Sequence, residues 1–177
     1  MRTQSFLSEA ALISIRPATE EDDRAVTGVV ASAISTLRET YRPTRDAPIS
    51  DVHILTKLNR LVALLDSKVV GTTRYWIDGD SLRIVGLSVH SQFRNRGVAT
   101  ELIRYLADIG DSLGARRMVL HTVKETGNVP IFQKLGFKIV VETDDTSIES
   151  AKFLKLTDVE MQRPLTAFGA QATECSR

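Results

Sequence analysis

The order of segments in this chain predicts an α/β protein of the α+β type, with a mixed sheet sandwiched between helices. Two patterns carry that prediction. Between residues 61 and 89, three apolar, β-branched runs are joined by short turns rich in Asp, Ser and Gly, the signature of hairpin-connected strands. After them an amphipathic helix, a strand-like run, a short helix and two more strand-like runs follow in succession.

Taken in order, residues 1–12 read as an N-terminal arm, 13–165 as one domain and 166–177 as a flexible tail. Ile13 to Arg16 is β-branched and ends at Pro17, which suits a first or edge strand. Thr19-Glu20-Glu21-Asp22 is a capping-box pattern, with acids where a helix N-terminus favours them. Val26, Val29, Val30, Ala33, Ile34 and Leu37 then recur at helical spacing, although Gly28 weakens that helix. Ser35 to Ser50 is polar and basic and reads as a broken helix or loop over one face of the sheet.

Leu61 to Leu65 and Val69 to Trp76 are strand-like, with Asp66-Ser67-Lys68 as the turn between them. Asp78-Gly79-Asp80 makes the next turn, and Leu82 to Val89 the third strand. From Gly97 to Leu113 an apolar stripe (Val98, Leu102, Leu106, Ile109, Leu113) lies opposite Glu101, Arg104, Asp108 and Asp111, and Gly114 is a suitable stop. Arg117 to Val123 is a strand, Asn128 to Leu135 a short helix ending at Gly136, and Phe137 to Glu142 and Phe153 to Leu165 the last two strands.

Composition narrows the function classes. The 177 residues are 42% hydrophobic, enough for a sizeable core, and the formal net charge of +1 gives no general attraction to nucleic acid or anionic membrane. No apolar run approaches the roughly 20 residues of a membrane helix, and the first residues make a poor signal peptide, so the cytoplasm is the expected compartment. Cys175 is the only cysteine, and His53, His90 and His121 lack ligand spacing, so no metal is expected.

The chemistry is concentrated in Leu87-Ser88-Val89-His90-Ser91-Gln92-Phe93-Arg94-Asn95-Arg96-Gly97-Val98-Ala99-Thr100. A strand ends, a basic turn follows, and a long helix starts at once. The first turn of a helix has unpaired N–H groups and a partial positive charge, which make it an anion site. Gly97 and Ala99 keep side chains small where backbone must approach a phosphate, and Arg94 and Arg96 add charge. Many strand-to-helix turns contain Gly and Arg merely to make the turn, so local pattern leaves both readings open.

Arg94-x-x-Gly97-x-Ala99, preceded by Leu87-x-Val89, resembles the Q/R-x-x-G-x-G/A loop of the GNAT (N-acetyltransferase) superfamily, and Asn128 with Phe132-Gln-Lys-Leu-Gly136-Phe137 resembles its N…Y-x-K-L-G-F segment. The resemblance runs from about Ile13 to Leu165. It implies a mostly antiparallel central sheet of about seven strands with helices on both faces. It also implies acetyl-CoA as cosubstrate and direct acetyl transfer to a primary amine, on a small molecule or a peptide, in a ternary complex. The amides of Asn95, Arg96, Gly97, Val98, Ala99 and Thr100 then hold the pyrophosphate. Backbone groups of Leu87 and Val89 pair with the pantetheine arm, an amide near Val89 polarises the thioester carbonyl, and Asn128 touches the cofactor near its pantetheine. That geometry requires the strand ending at Val89 to splay from its next neighbour. A catalytically silent CoA-binding regulator and a protein N-terminal or lysine acetyltransferase are the alternatives.

Two positions depart from the family pattern. Phe132 stands where many members carry a tyrosine that protonates the departing thiolate. A thiol titrates near pH 8.5, so this leaving group tolerates the loss. No acid occupies Leu120-His121-Thr122, where protein N-terminal acetyltransferases of the family often place a glutamate; His121 is the candidate base, against the commoner outcome of a buried strand histidine bonded to backbone. Glu39, Tyr41 and Arg42 fall where the family positions its acceptor lid, and Trp76 reads either as pocket lining or as core. An exposed final strand offers a route to a homodimer by sheet pairing.

Overall fold

The computed structural model describes residues 12–43, 58–145 and 148–165; the expected arm and tail, apart from Leu12, lie outside them. Nine strands and three α-helices run in the order β1 (Ile13–Pro17), α1 (Asp23–Leu37), β2 (Arg42–Pro43), β3 (Asn59–Leu65), β4 (Lys68–Asp78), β5 (Ser81–Val89), α2 (Val98–Ser112), β6 (Arg117–Val123), α3 (Val129–Lys134), β7 (Lys138–Asp145), β8 (Ile148–Glu149) and β9 (Leu156–Pro164) among the described residues. Seven strands form one sheet, ordered β1-β3-β4-β5-β6-β9-β7, and β2 pairs with β8 apart from it. Every neighbouring pair in the large sheet is antiparallel except β5–β6. A parallel pair needs a crossover, and α2 supplies it.

Local chemistry explains the tight connections. Asp66 and Ser67 both adopt left-handed backbone (φ 49° and 63°) between the paired residues Leu65 and Lys68. That is the two-residue hairpin whose twist matches the strands it joins, so Lys68 begins β4 rather than completing the turn. Before α1, the Thr19 N–H donates to the Asp22 carboxylate at 2.8 Å, realising the expected cap on a short 3₁₀ turn (Glu20–Asp22) that leads into the helix. Asp22 is buried and also receives two Arg16 bonds, at 2.7 and 2.9 Å.

Alternation along β3 divides the interior. Leu61, Ala63 and Leu65 join a cluster with Leu102, Ile103 and Leu106 of α2, while Val62 between them is also fully buried. Val62 lies on the opposite face, the side covered by α1 through Val26, Val29 and Ala33. Each large apolar side chain so buried contributes about 1.5–3 kcal/mol. Close packing admits no extra atom at two glycines: a Cβ on Gly71 would lie 2.7 Å from Val98 Cγ1, and one on Gly110 2.5 Å from Leu165 Cδ1.

The polar segment after Ser35 is helix as far as Leu37, breaks there into a turn, and then reaches the two-residue strand β2, whose Arg42 pairs with Glu149; 44–50 lie outside the described residues. The sequence misplaces two details. The last strand starts at Leu156, not Phe153, because Ser150 Oγ accepts the N–H groups of Lys152 and Phe153 (3.1 Å each) and holds the chain in a local turn. That last strand is not an edge: β9 lies between β6 and β7, and the sheet's two edges are β1 and β7, the latter bulged at Val140 and bearing Lys138, Asp144 and Asp145.

Candidate active site

The parallel ladder between β5 and β6 stops early. It pairs Ser81 with Arg117 through Ile84 with Leu120, whereas β5 continues to Val89 and β6 to Val123. The departure coincides with a bulge: β5 advances three residues, Val85 to Ser88, while β4 advances two, Arg74 to Thr72. Gly86 sits within it at φ +65°, a conformation L-residues rarely adopt, and the extra residue bends β5 and increases its twist. An isolated glycine inside a strand pattern is the signal that identifies such a bulge.

A cavity of about 290 Å³ occupies the resulting gap, lined among others by Gly86, Leu87, His121, Asn128, Phe132 and Asp158. Leu37 and Tyr41 line it as well, brought in by α1 and the turn beyond it. Burial, and secondly the Asp145 carboxylate, push the Tyr41 phenol above its usual range, so it enters the cavity as a hydrogen-bond donor at neutral pH. Phe132 packs edge-on against Phe137, with ring centroids 6.1 Å apart. Trp76 lies towards the other end of β4 and does not line the cavity.

His121 is not the buried histidine that a strand position suggests. Its side chain is 47% exposed, Nδ1 lies 2.7 Å from Asp158 Oδ2, and Nε2 lies 3.5 Å from Glu160 Oε2. The partner Asp158 has no motif of its own; only the β6–β9 register brings it there.

Beyond the cavity β5 ends at Val89, itself paired with Gly71, and a short 3₁₀ turn (Ser91–Phe93) leads to the loop before α2. Asn95 (φ +60°) and Gly97 (φ +83°) are both left-handed there, which asparagine tolerates better than most residues and glycine at no cost. Among the described residues the six backbone N–H groups of 95–100 make no hydrogen bond; the first helical bond is Glu101 N–H to Gly97 O at 3.0 Å. The turn is open to solvent except at Val98, which is buried, and Phe93 and Ala99, which are half-buried. Lys68 Nζ and the Arg96 guanidinium stand 5.1 and 5.3 Å from the Phe93 ring centre, placing two cations beside these amides. Arg94 reaches Thr36 Oγ1 (3.5 Å), and Ser91 N–H donates to Ser32 Oγ (3.1 Å), so α1 braces the turn from the side.

The structure therefore brings Leu87, His121, Asn128 and Phe132 around one cavity and sets Val89, Arg94, Asn95, Arg96, Gly97, Val98, Ala99 and Thr100 along the path leading away from it. Six donors on one side and a polar-lined gap on the other suit an extended ligand with an anionic end. Among the described residues no group of three His, Cys, Asp or Glu is placed to hold a metal ion, and no helix is long and apolar enough to cross a membrane.

A split sheet with an amide-lined turn at its mouth is the architecture of CoA-dependent N-acyltransferases. A model of the acetyltransferase (GNAT) family matches residues 29–137, more than half the chain, and the protein belongs to that family. It is thus an acyl-CoA-dependent N-acyltransferase. No curated protein matches the sequence. Among solved structures it is similar to a GCN5-related N-acetyltransferase from Kribbella flavida, with TM-score 0.68 and 19% identity over 86% of this chain and 98% of that one. A Bacillus subtilis acetyltransferase in complex with CoA gives TM-score 0.64 and 16% identity over 88% and 100%. The ribosomal-protein-S18-alanine N-acetyltransferase of Escherichia coli gives 0.63 and 12% over 91% and 99%. At these identities the likeness is one of fold.

Proposed function

We propose that the protein transfers the acetyl group of acetyl-CoA to the primary amine of a small molecule, by direct attack in a ternary complex in the cytoplasm. The observation that carries this reading is the run of six unbonded N–H groups at the start of α2, at the end of a strand whose parallel neighbour has turned away. In this reading the N–H groups of 95–100 hold the pyrophosphate, aided by the helix dipole and the charges of Arg94 and Arg96. The pantetheine arm extends along the unpaired edge of β5 at Leu87 and Val89, completing a ladder that β6 leaves open. Asn128, just before α3, and Phe132 within it flank the arm, and the Val89 amide polarises the thioester carbonyl.

The chemistry needs few groups. The amine nitrogen forms a bond to the carbonyl carbon, the C–S bond breaks, and sulfur leaves with the electron pair. An ammonium loses two protons on becoming an amide; one ends on the thiol and the other in solvent. His121, at the cavity wall, is the acceptor for the proton that must leave before attack. No acid stands at 120–122, where protein N-terminal acetyltransferases of the family often place a glutamate, and this favours a small amine over a peptide.

Phe132, which has no proton to give, favours a second reading in which CoA binds without turnover. Calorimetric titration with acetyl-CoA tests the cradle, and a panel of primary amines with a free-thiol readout tests the chemistry. Saturable binding with amine-dependent thiol release is expected. Binding without release selects the silent reading, and no binding overturns both.

A further inference from the structure

We infer that Asp158 is the positioning residue of the site: it fixes His121 in the tautomer that leaves Nε2 free to take the acceptor's proton. The inference rests on the acyl-transfer reading above. The β6–β9 register sets Glu160 opposite His121 and Asp158 opposite Val123, so these side chains share one sheet face. Met118 and Leu120, out of phase with His121, pack into the core beneath α2, so that face is the one from which Leu37 and Tyr41 approach.

Distance decides which nitrogen keeps its proton. At 2.7 Å Asp158 is well within hydrogen-bond range of Nδ1, whereas Glu160 at 3.5 Å from Nε2 is too far to compete. A carboxylate only accepts, so neutral His121 carries its proton on Nδ1 and presents a lone pair at Nε2. Glu160 adds a negative charge beside that lone pair, where an incoming ammonium is attracted. Among the described residues, the ionisable groups that face the ring or share its cavity are Asp158 and Glu160 from β9 and Tyr41 from beyond α1; the lining residues of β5 and α3 contribute none. Stability gives little reason for the pair, because at 47% and 33% exposure solvent screens the interaction.

Imidazole ¹⁵N NMR of the full chain tests this, with the His121 signal assigned by its loss in His121→Gln. Wild type is expected to show the Nδ1–H form. Asp158→Ala should move His121 towards Nε2–H, and Glu160→Gln should leave it unchanged. An unaltered tautomer in Asp158→Ala overturns the positioning role. Turnover is read with saturating acetyl-CoA and 2-phenylethylamine as acceptor probe: kcat should fall about 100-fold in Asp158→Ala, with acetyl-CoA affinity unchanged and partial recovery in Asp158→Glu. Equal kcat in wild type and Asp158→Ala removes the catalytic part. The tautomer is read without any ligand, so failure of the acyl-transfer reading, seen as absent acetyl-CoA binding, is a separate outcome.

Discussion

The two ends of the site are built in opposite ways. The turn at 90–100 is continuous in sequence: one strand end, one loop and one helix start supply every amide donor. The cavity at the other end is assembled from α1 and the turn after it, β5, β6, α3 and β9, so residues as distant as Tyr41 and Asp158 share a wall. The contrast teaches where robustness lies. A local turn survives as long as its few backbone angles do, whereas the cavity depends on the register of two ladders and on one bulge. Helix α1 touches both ends, bracing the turn through Ser32 and Thr36 and closing the cavity through Leu37.

Substitutions separate the ends. Gly97→Glu puts a carboxylate among the anion donors and side-chain atoms on a residue at φ +83°. Only Ile13 Cδ1, at 3.9 Å, is near a Cβ there, so the substitution meets no clash and costs only the backbone strain of a left-handed residue, about 1–2 kcal/mol. Acetyl-CoA affinity is expected to fall by more than about 100-fold by calorimetry, since the added carboxylate repels the charged end and the side chain obstructs its approach to the N–H groups. Unchanged affinity would sever the turn from cofactor binding.

Gly86→Val attacks the other end. A β-branched residue is strained at φ +65° and should cost about 2 kcal/mol in denaturant unfolding, or shift the bulge. Amine acetylation should drop by at least about tenfold in kcat, because β5 no longer turns from β6 as before. Wild-type turnover in this variant would mean that the bulge is dispensable.

Asp22→Asn should affect stability without discriminating between the ends. The Arg16 guanidinium, and next the Thr19 backbone N–H, hold the Asp22 carboxyl well below the usual carboxylate range. A depressed folded-state pKa contributes stability that is complete above the unfolded value near 3.9 and is lost as pH falls below it. The variant should therefore lose about 2 kcal/mol at pH 7 and show a flatter acid limb below about pH 4 in chemical denaturation, with acetyl-CoA affinity unaltered at neutral pH. The smallest effect is expected from Phe132→Tyr, where thiol release in steady state should rise less than about threefold, because a thiolate leaves with little help. A larger gain would show that the missing phenol limits the enzyme.

Much of the fold was legible because its signals are local. The Asp66-Ser67 hairpin, the Thr19–Asp22 cap and the helix stripe from Val98 are each written within a few residues, and they stand where the sequence places them. Strand order was not legible: nothing within Leu156–Pro164 says that it inserts between β6 and β7 rather than closing an edge. His121 was visible as a candidate, but its partner was not, because a strand aspartate has no distinguishing neighbours.

By itself the sequence determined the amide-lined turn, since φ-permissive Gly97 and a helix start are properties of consecutive residues. Only the tertiary structure decided the cavity and its His121–Asp158 pair. Their proximity follows from ladder register and from the divergence of two strands, both of which are settled when distant segments compete for the same hydrogen bonds and the same core.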